Sequence, residues 1–291
     1  MGTVIPHTLD NNVYNCILKP PLTSIHYMAT LHKQPRIAIL GAGFAGIGAA
    51  IALQKAGFTN YTLYERDPAI GGTWWANTYP GVACDVQSHL YSFSFEPKPD
   101  WTRQFAPQAE ILAYMQHCVA KYGVANNTQC NHNFTKGVYD EKRACWVLTF
   151  LVANADGGTA TETTAEVDFI ISGTGGLSRP SIPNFDGLDS FKGTVMHTAK
   201  WDHSYNPVGK RIAVVGTGAS AIQLIPELVK SAEHIDYYQR TAPWVMPKPD
   251  RALTKFEQKL FKIAPVFQKL TRWRLYWQLE FRAIAFIIQP K

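Results

Sequence analysis

Apolar and polar positions follow the same order in two stretches of the chain. Residues 36–40, RIAIL, form a short apolar run, GAGFAG follows at once, and residues 47–57 continue at helical spacing until Gly57. Residues 211–230, RIAVVGTGASAIQLIPELVK, repeat that order. The pattern predicts a strand, a glycine turn and a helix in each stretch.

The first glycine turn has the spacing of a dinucleotide site. Gly41 allows a tight turn, Gly43 lets the backbone approach a pyrophosphate, and Gly46 permits close packing of the helix. Because such spacing alone is a weak signal, the next strand matters. YTLYERD predicts that strand, and Glu65 lies 24 residues after the first glycine. A carboxylate there accepts hydrogen bonds from ribose hydroxyls and repels a 2′-phosphate, so we expect FAD or NAD.

The second glycine turn starts 175 residues after the first, with Gly216, Gly218 and Ala221 in the three small positions. HIDYYQRT predicts its next strand, and Arg240 stands at the same offset of 24 residues. A guanidinium group binds a 2′-phosphate, so this site is expected to prefer NADPH over NADH. Glu65 and Arg240 could instead be ordinary charges at strand ends, but their matched offsets favour nucleotide binding.

Between the two turns the sequence departs from a simple nucleotide fold. Residues 71–85, GGTWWANTYPGVACD, are rich in turn formers and aromatics where a helix is expected. Residues 146–172 predict two β-rich runs joined around Asp156, Gly157 and Gly158, which indicates a β-hairpin insertion. A further glycine turn, GTGG, follows the second run.

These elements predict an α/β fold with two Rossmann-like dinucleotide-binding domains, for FAD and NADP, of which the second is incomplete. A doubly wound domain needs about five parallel strands, yet proline-rich and then helical or irregular sequence follows Arg240. The expected segments are a poorly ordered leader (1–34), an FAD-binding domain (35–180), an interdomain linker (181–210), the start of an NADP-binding domain (211–249) and a helical segment (250–291).

Composition and charge narrow the class of protein. The 291 residues are 46% hydrophobic, which is typical of a globular chain, and the net charge of +6 is scattered rather than massed in a stripe. A solvated surface is therefore favoured over nucleic-acid binding. The five cysteines form no CxxC pair and no metal-ligand spacing, which indicates reduced thiols and a cytoplasmic setting.

One nucleotide site with an acid at the end of its second strand and another with an arginine there together indicate a flavoprotein that takes hydride from NADPH. Disulfide reductases share that plan, but they need a redox-active cysteine pair that this sequence lacks. Molecular oxygen is the expected electron acceptor.

Residues 191–202, FKGTVMHTAKWD, lie just before the second glycine turn. They resemble the fingerprint Phe-x-Gly-x3-His-x3-Trp-Pro/Asp of the Baeyer–Villiger monooxygenases, a group of the class B flavin-dependent monooxygenases. The Trp-Asp ending distinguishes this group from the related N- and S-oxidising enzymes. The resemblance implies that the run links the two nucleotide domains, and that His197 and Trp201 serve catalysis as conformational rather than chemical groups. A plain strand with alternating inward residues is the alternative.

The resemblance also assigns cofactor contacts. GGTW, NTYPG and CD are similar to the family's flavin-contacting segment, which implies FAD contacts at Gly72, Thr73, Trp74, Asp85 and Tyr91. In the second unit it implies NADP contacts at Thr217, Gly218, Ala219, Ser220, Gln223, Arg240 and Thr241, which join the small positions Gly216 and Ala221 of the glycine turn as expected cofactor-binding residues. Many members have Tyr-Trp-Asn-Arg where this chain has WANT at 75–78, which leaves the subgroup and substrate open.

The reaction implied by the resemblance is the insertion of one oxygen of O2 next to a ketone carbonyl, through a flavin C4a-peroxide formed after NADPH reduces FAD. The product is an ester or lactone. In the family an arginine on a later strand is oriented by an acid corresponding to Asp85, which makes Asp85 a candidate catalytic residue.

Family chains are considerably longer, so the resemblance implies a chain truncated at its C-terminus. A nucleotide-binding remnant without turnover and an N- or S-oxidising enzyme are the alternatives. The tail, residues 266–288, is apolar over much of a predicted helix with basic residues between. We expect a surface that further strands cover, with an amphipathic membrane-surface helix as the alternative.

Overall fold

The structure, a computed structural model, describes residues 34–153, 159–242 and 248–288. The strands are β1 (Ile37–Leu40), β2 (Tyr61–Tyr64), β3 (Thr128–Gln129), β4 (His132–Asp140), β5 (Cys145–Val152), β6 (Thr161–Val167), β7 (Phe169–Ser172), β8 (Arg211–Val215) and β9 (His234–Tyr238). The helices are α1 (Phe44–Lys55), α2 (Thr73–Ala76), α3 (Gln108–Lys121), α4 (Ala219–Leu228), α5 (Lys255–Ile263) and α6 (Pro265–Ile288).

The first unit is a four-stranded sheet in the order β3-β2-β1-β7, with every pairing parallel. All four residues of β1 are buried, as expected for a central strand of a parallel sheet with cover on both faces. Helix α1 follows the first glycine turn, so the predicted strand, turn and helix are confirmed here. Helix α3 adds Ile111, Met115 and Cys118 to the same core.

The predicted hairpin is part of a three-stranded antiparallel sheet in the order β4-β5-β6. Strands β5 and β6 pair with Val152 opposite Thr161, and the predicted turn at 156–158 lies outside the described residues. The second β-rich run contains two strands, β6 and β7. The run divides at Asp168, after which β7 leaves the antiparallel sheet and pairs with β1.

A charged contact joins the starts of β1 and β7. The Arg36 backbone N–H donates to Asp168 Oδ2 at 2.7 Å, and Arg36 Nη2 donates to Asp168 Oδ1 at 2.7 Å. The hydrogen bond and charge of Asp168 raise the pKa of Arg36 above its ordinary value. The two ends of the first unit, 132 residues apart, are thereby tied together.

The second unit consists of β8, β9 and helix α4, as the repeated pattern predicts. Strands β8 and β9 are parallel, with Arg211 opposite His234. Within the described residues these two strands form a separate two-stranded sheet, and Val215 and Tyr238 are exposed on it. Parallel sheets normally have both faces covered.

Helices α5 and α6 pack against the outside of the first unit. Leu253 joins the core of that unit, Gln258 Nε2 donates to the Trp101 carbonyl at 2.9 Å, and Arg272 Nη1 donates to the His89 carbonyl at 2.8 Å. The other side of α6 exposes the apolar residues Phe267, Leu270, Trp273, Tyr276, Trp277, Phe281 and Ile284. Among the described residues, no helix has the length and apolar character needed to cross a bilayer.

Candidate functional site

A cavity of about 770 Å³ lies at the carboxyl ends of β1, β2 and β7. Three glycine segments line it, at 41–43, 71–72 and 173–176. Ligands of open α/β sheets bind at this edge, where successive strands end in loops. The sequence predicts the first two segments as nucleotide contacts. The third segment is the GTGG turn that follows the second β-rich run. Its position along the sequence does not indicate that it belongs to the site.

The three glycines of the first loop differ in what a side chain would meet at each position. Gly41 has φ +96°, and a Cβ there would lie 2.6 Å from the Gly173 carbonyl oxygen. A Cβ on Gly46 would overlap the Gly41 carbonyl oxygen. A Cβ on Gly43 would meet only the Gly72 Cα, at an ordinary 3.8 Å. Protein packing therefore requires the first and third glycines, whereas the middle one leaves the cavity open to a ligand such as a pyrophosphate.

Glu65 is buried at the end of β2 and lines the cavity. Its Oε2 accepts a hydrogen bond from the Ala42 N–H at 2.7 Å, and its Oε1 accepts one from the Asp67 N–H at 3.0 Å. A carboxylate has about four acceptor positions, so two remain for a ligand hydroxyl. Arg66, which belongs to no sequence motif, also lines the cavity and donates to the Ser178 carbonyl at 3.3 Å.

The predicted flavin-contacting residues Gly72, Thr73, Trp74 and Tyr91 all line the cavity. Trp74 is buried in the single turn of α2, and its Nε1 donates to the Tyr91 hydroxyl at 3.0 Å. Burial raises the pKa of Tyr91, and this hydrogen bond opposes the rise. The aromatic pair therefore presents a neutral wall to the cavity at neutral pH.

Asp85 differs from these residues in position. Its side chain is exposed, and it does not belong to the cavity wall formed by the described residues. Burial raises the pKa of Tyr79, and the negative charge of Asp85 adds to that rise. Asp85 thus lies beside the loop at 77–83 rather than against the cavity, and its catalytic role stays a prediction.

The fingerprint residues hold backbone segments in place. His197 Nδ1 accepts a hydrogen bond from the Ala199 N–H at 3.1 Å and caps a short 3-10 helix, Thr198–Lys200. An accepting Nδ1 places the proton of the neutral ring on Nε2. Trp201 packs against a cluster that contains Tyr79. The conformational role of both side chains stays a prediction.

The second predicted site lies at the ends of β8 and β9. Gly216 has φ +114°, and a Cβ on Gly216 or on Gly218 would meet nothing within 4 Å. The parallel pairing brings two groups of predicted NADP contacts to neighbouring strand ends, namely Gly216, Thr217, Gly218, Ala219 and Ser220 after β8, and Arg240 and Thr241 after β9. Ala221 is buried in the first turn of α4.

Gln223 is the exception among the predicted NADP contacts. Its side-chain amide bonds to Tyr79 and Ala83 of the first unit. Sequence spacing gave no indication of this contact, because about 140 residues separate the partners.

Residues 34–255 match the family described as flavin-binding monooxygenase-like. A Baeyer-Villiger monooxygenase of Pseudomonas aeruginosa is 46% identical to this chain over 256 residues, which is 88% of this chain and 47% of that protein. The chain spans about half the length of the curated relatives it matches.

Solved structures give the same picture of the fold. An oxidized steroid monooxygenase bound to NADP is 33% identical, with a TM-score of 0.68, over 79% of this chain and 43% of that one. A complex of OTEMO with FAD and NADP is 30% identical, with a TM-score of 0.68, over 78% of this chain and 43% of that one. The predicted α/β fold with dinucleotide-binding units is confirmed, and the chain belongs to the flavin-binding monooxygenase-like family.

Proposed function

We propose that this chain binds FAD at the first glycine loop and NADPH at the second, and that it supports a monooxygenase reaction of the Baeyer–Villiger type. The observation that carries the proposal is the cavity between Gly43 and Gly72 at the carboxyl ends of parallel strands. The name of the Pseudomonas relative and the fingerprint at 191–202 support the same reaction type.

In the first site, the backbone around Gly43 would hold the pyrophosphate at the start of α1, where helix N–H groups favour an anion. Glu65 would accept hydrogen bonds from a ribose. Trp74 and Tyr91 would contact the ring system and exclude water from it.

In the second site, the N-terminus of α4 would hold the pyrophosphate of NADPH, and Arg240 would bind its 2′-phosphate. A guanidinium group offers two parallel donors to a phosphate, which an acid at the same position would repel. Arg240 is exposed at the end of β9, where a ligand can reach it.

Bound FAD would supply the oxygen chemistry, with O2 and a ketone as co-substrates and an ester or lactone as product. The chain's own residues would orient the bound groups and shield them from water. His197 fixes the linker turn, Trp201 packs the linker against the loop of Tyr79, and Asp85 is available to orient a cationic group.

The test uses the purified chain with added FAD. We expect a retained flavin absorbance spectrum, bleaching of that spectrum by NADPH without oxygen, and ester formation from cyclic ketones in air, measured by gas chromatography. Gly43→Val is the matched control, since it changes the cavity and not the packing. An unmodified chain that is folded but retains no flavin would overturn the proposal.

A nucleotide-binding protein without turnover is the second candidate. It is favoured by the second unit, where Gly216 and Gly218 meet nothing within 4 Å and β8 has one strand partner among the described residues. Retained flavin without NADPH oxidation would support it. Oxidation of amines or sulfides but not of ketones would instead indicate an N- or S-oxidising enzyme.

A further inference from the structure

The loop at residues 77–83, here called the flavin loop because it follows the cavity-lining residues Gly72 and Thr73, makes hydrogen bonds to α4 of the second unit through the side chain of Gln223. Gln223 Oε1 accepts a hydrogen bond from the Tyr79 hydroxyl at 2.9 Å and one from the Ala83 N–H at 3.3 Å. Gln223 Nε2 donates to the Ala83 carbonyl at 2.9 Å. Three of the four hydrogen bonds that an amide can make are therefore directed to the flavin loop.

The backbones of the two units approach closely at the same place. Gly81 has φ +82°, and a Cβ there would lie 2.6 Å from the Gln223 carbonyl oxygen. Tyr79 is buried, and it packs against Leu224 and Leu228 of α4. The amide contact thus lies beside an apolar cluster, and its hydrogen bonds are partly shielded from water.

Each partner of this contact is close in sequence to one of the two proposed sites. Gln223 lies one turn along α4 from Ser220, at the proposed pyrophosphate site. Tyr79 follows Gly72 and Thr73, which line the cavity. Burial raises the pKa of Tyr79, and a hydrogen bond from Ser220 opposes the rise, so the phenol also lies next to the start of α4.

We propose that Gln223 and Tyr79 form a positioning pair that couples the two sites. A nucleotide bound at the start of α4 fixes that helix, the amide of Gln223 then fixes the flavin loop, and FAD binds more tightly. The inference rests on the proposed function, since it needs both nucleotides. Coupling is reciprocal, so FAD must tighten NADP⁺ binding by the same factor. Gln223 is a positioning residue in this scheme, not a nucleotide ligand.

The test measures coupling rather than turnover. FAD is titrated into the apoprotein by fluorescence, with and without saturating NADP⁺, and NADP⁺ is titrated separately by calorimetry. We expect NADP⁺ to tighten FAD binding by about 5-fold or more in the unmodified chain. In Gln223→Leu the factor should fall below about 2-fold, while NADP⁺ affinity without FAD changes little.

Two further variants keep the test decisive if Gln223→Leu does not fold. Tyr79→Phe removes one hydrogen bond and should lower the coupling factor partly. Gln223→Glu keeps the acceptor for Tyr79 but not the donor for Ala83, and should also lower it partly. The matched control is Ile222→Ala, an exposed position on the same helix, which should leave coupling unchanged.

The outcomes separate this inference from the proposed function. If FAD and NADP⁺ both bind to the unmodified chain but independently, the inference fails and the proposed function stands. If Gln223→Leu loses NADP⁺ affinity and keeps the coupling factor, Gln223 is a ligand and the inference fails. If the folded chain binds no FAD, both fail.

Discussion

The two glycine loops follow the same local sequence pattern and lie in different surroundings. Around the first loop, Gly173, Gly72 and the buried carboxylate of Glu65 enclose a cavity of about 770 Å³. Around the second, a Cβ on Gly216 or Gly218 would meet nothing within 4 Å, and β8 pairs with one described strand. Local spacing specifies the strand, turn and helix, whereas an enclosed site needs contributions from distant segments.

The third small position of each motif gives the largest expected difference. Gly46→Ala places a methyl group on the Gly41 carbonyl oxygen, so we expect unfolding to become easier by about 3 kcal/mol or more. The matched change in the second loop, Ala221→Gly, only removes a methyl group from a helix, at about 1 kcal/mol. Urea unfolding followed by circular dichroism measures both. Equal midpoints for the two variants would remove the contrast.

The middle glycines test ligand space rather than packing. Gly43→Val should leave the chain folded, because the nearest atom to its Cβ is at 3.8 Å, but should weaken FAD binding at least about tenfold, or about 1.4 kcal/mol. Gly218→Val should weaken NADP⁺ binding and leave FAD retention alone. Flavin content after gel filtration and calorimetry report the two effects. Full flavin content in folded Gly43→Val would place the pyrophosphate elsewhere.

The charges at the two strand ends sharpen the comparison of ligands. NADPH should bind more tightly than NADH, and Arg240→Ala should remove most of that difference, because a charged bond to phosphate contributes about 1.5–3 kcal/mol. Glu65→Gln serves as the control, since it alters only the first site. Titration of the unmodified chain and both variants with NADPH and with NADH measures the difference in affinity. Equal affinities in the unmodified chain would contradict the assignment of Arg240.

A smaller expected effect is the dependence of stability on pH, which should arise in the first unit and not in the second. Burial lowers the pKa of His89 to about 4, Glu257 opposes this and Arg272 reinforces it. Gln268 Nε2 lies 3.2 Å from His89 Nδ1, between the first unit and α6. Because the folded-state pKa lies below the ordinary 6.5, the unfolded chain binds more protons between pH 6.5 and 4. Stability is therefore complete above pH 6.5 and falls as the pH is lowered towards 4.

We expect the contribution of His89 to the free energy of unfolding to be lower at pH 5 than at pH 7, by an amount on the order of 1–2 kcal/mol. His89→Gln should flatten the pH dependence, whereas His234→Gln, at an exposed position of the second unit, should not. Urea midpoints between pH 7 and 4.5 measure the difference. The same slope in all three proteins would show that His89 does not titrate as proposed.

The sequence predicts those features that depend on neighbours along the chain. The strand, glycine turn and helix at Gly41 and at Gly216 follow from local period and spacing, and Glu65 follows from its offset. The division of the second β-rich run at Asp168 does not, because whether a residue pairs with β5 or with β1 is decided across the sheet. The contact of Gln223 with Tyr79 has no local signal for the same reason.

The bond between Arg36 and Asp168 has a consequence for biosynthesis. Strand β1 can pair with β2 soon after both leave the ribosome, but its other edge stays unpaired until β7 emerges, 132 residues after Arg36. At about 5–20 residues per second, that delay is roughly 7–26 s. An apolar strand with an open edge can add a strand from another chain during that time. The nascent chain is therefore exposed to misassembly at this edge until β7 emerges, and chaperone demand should be raised in that interval.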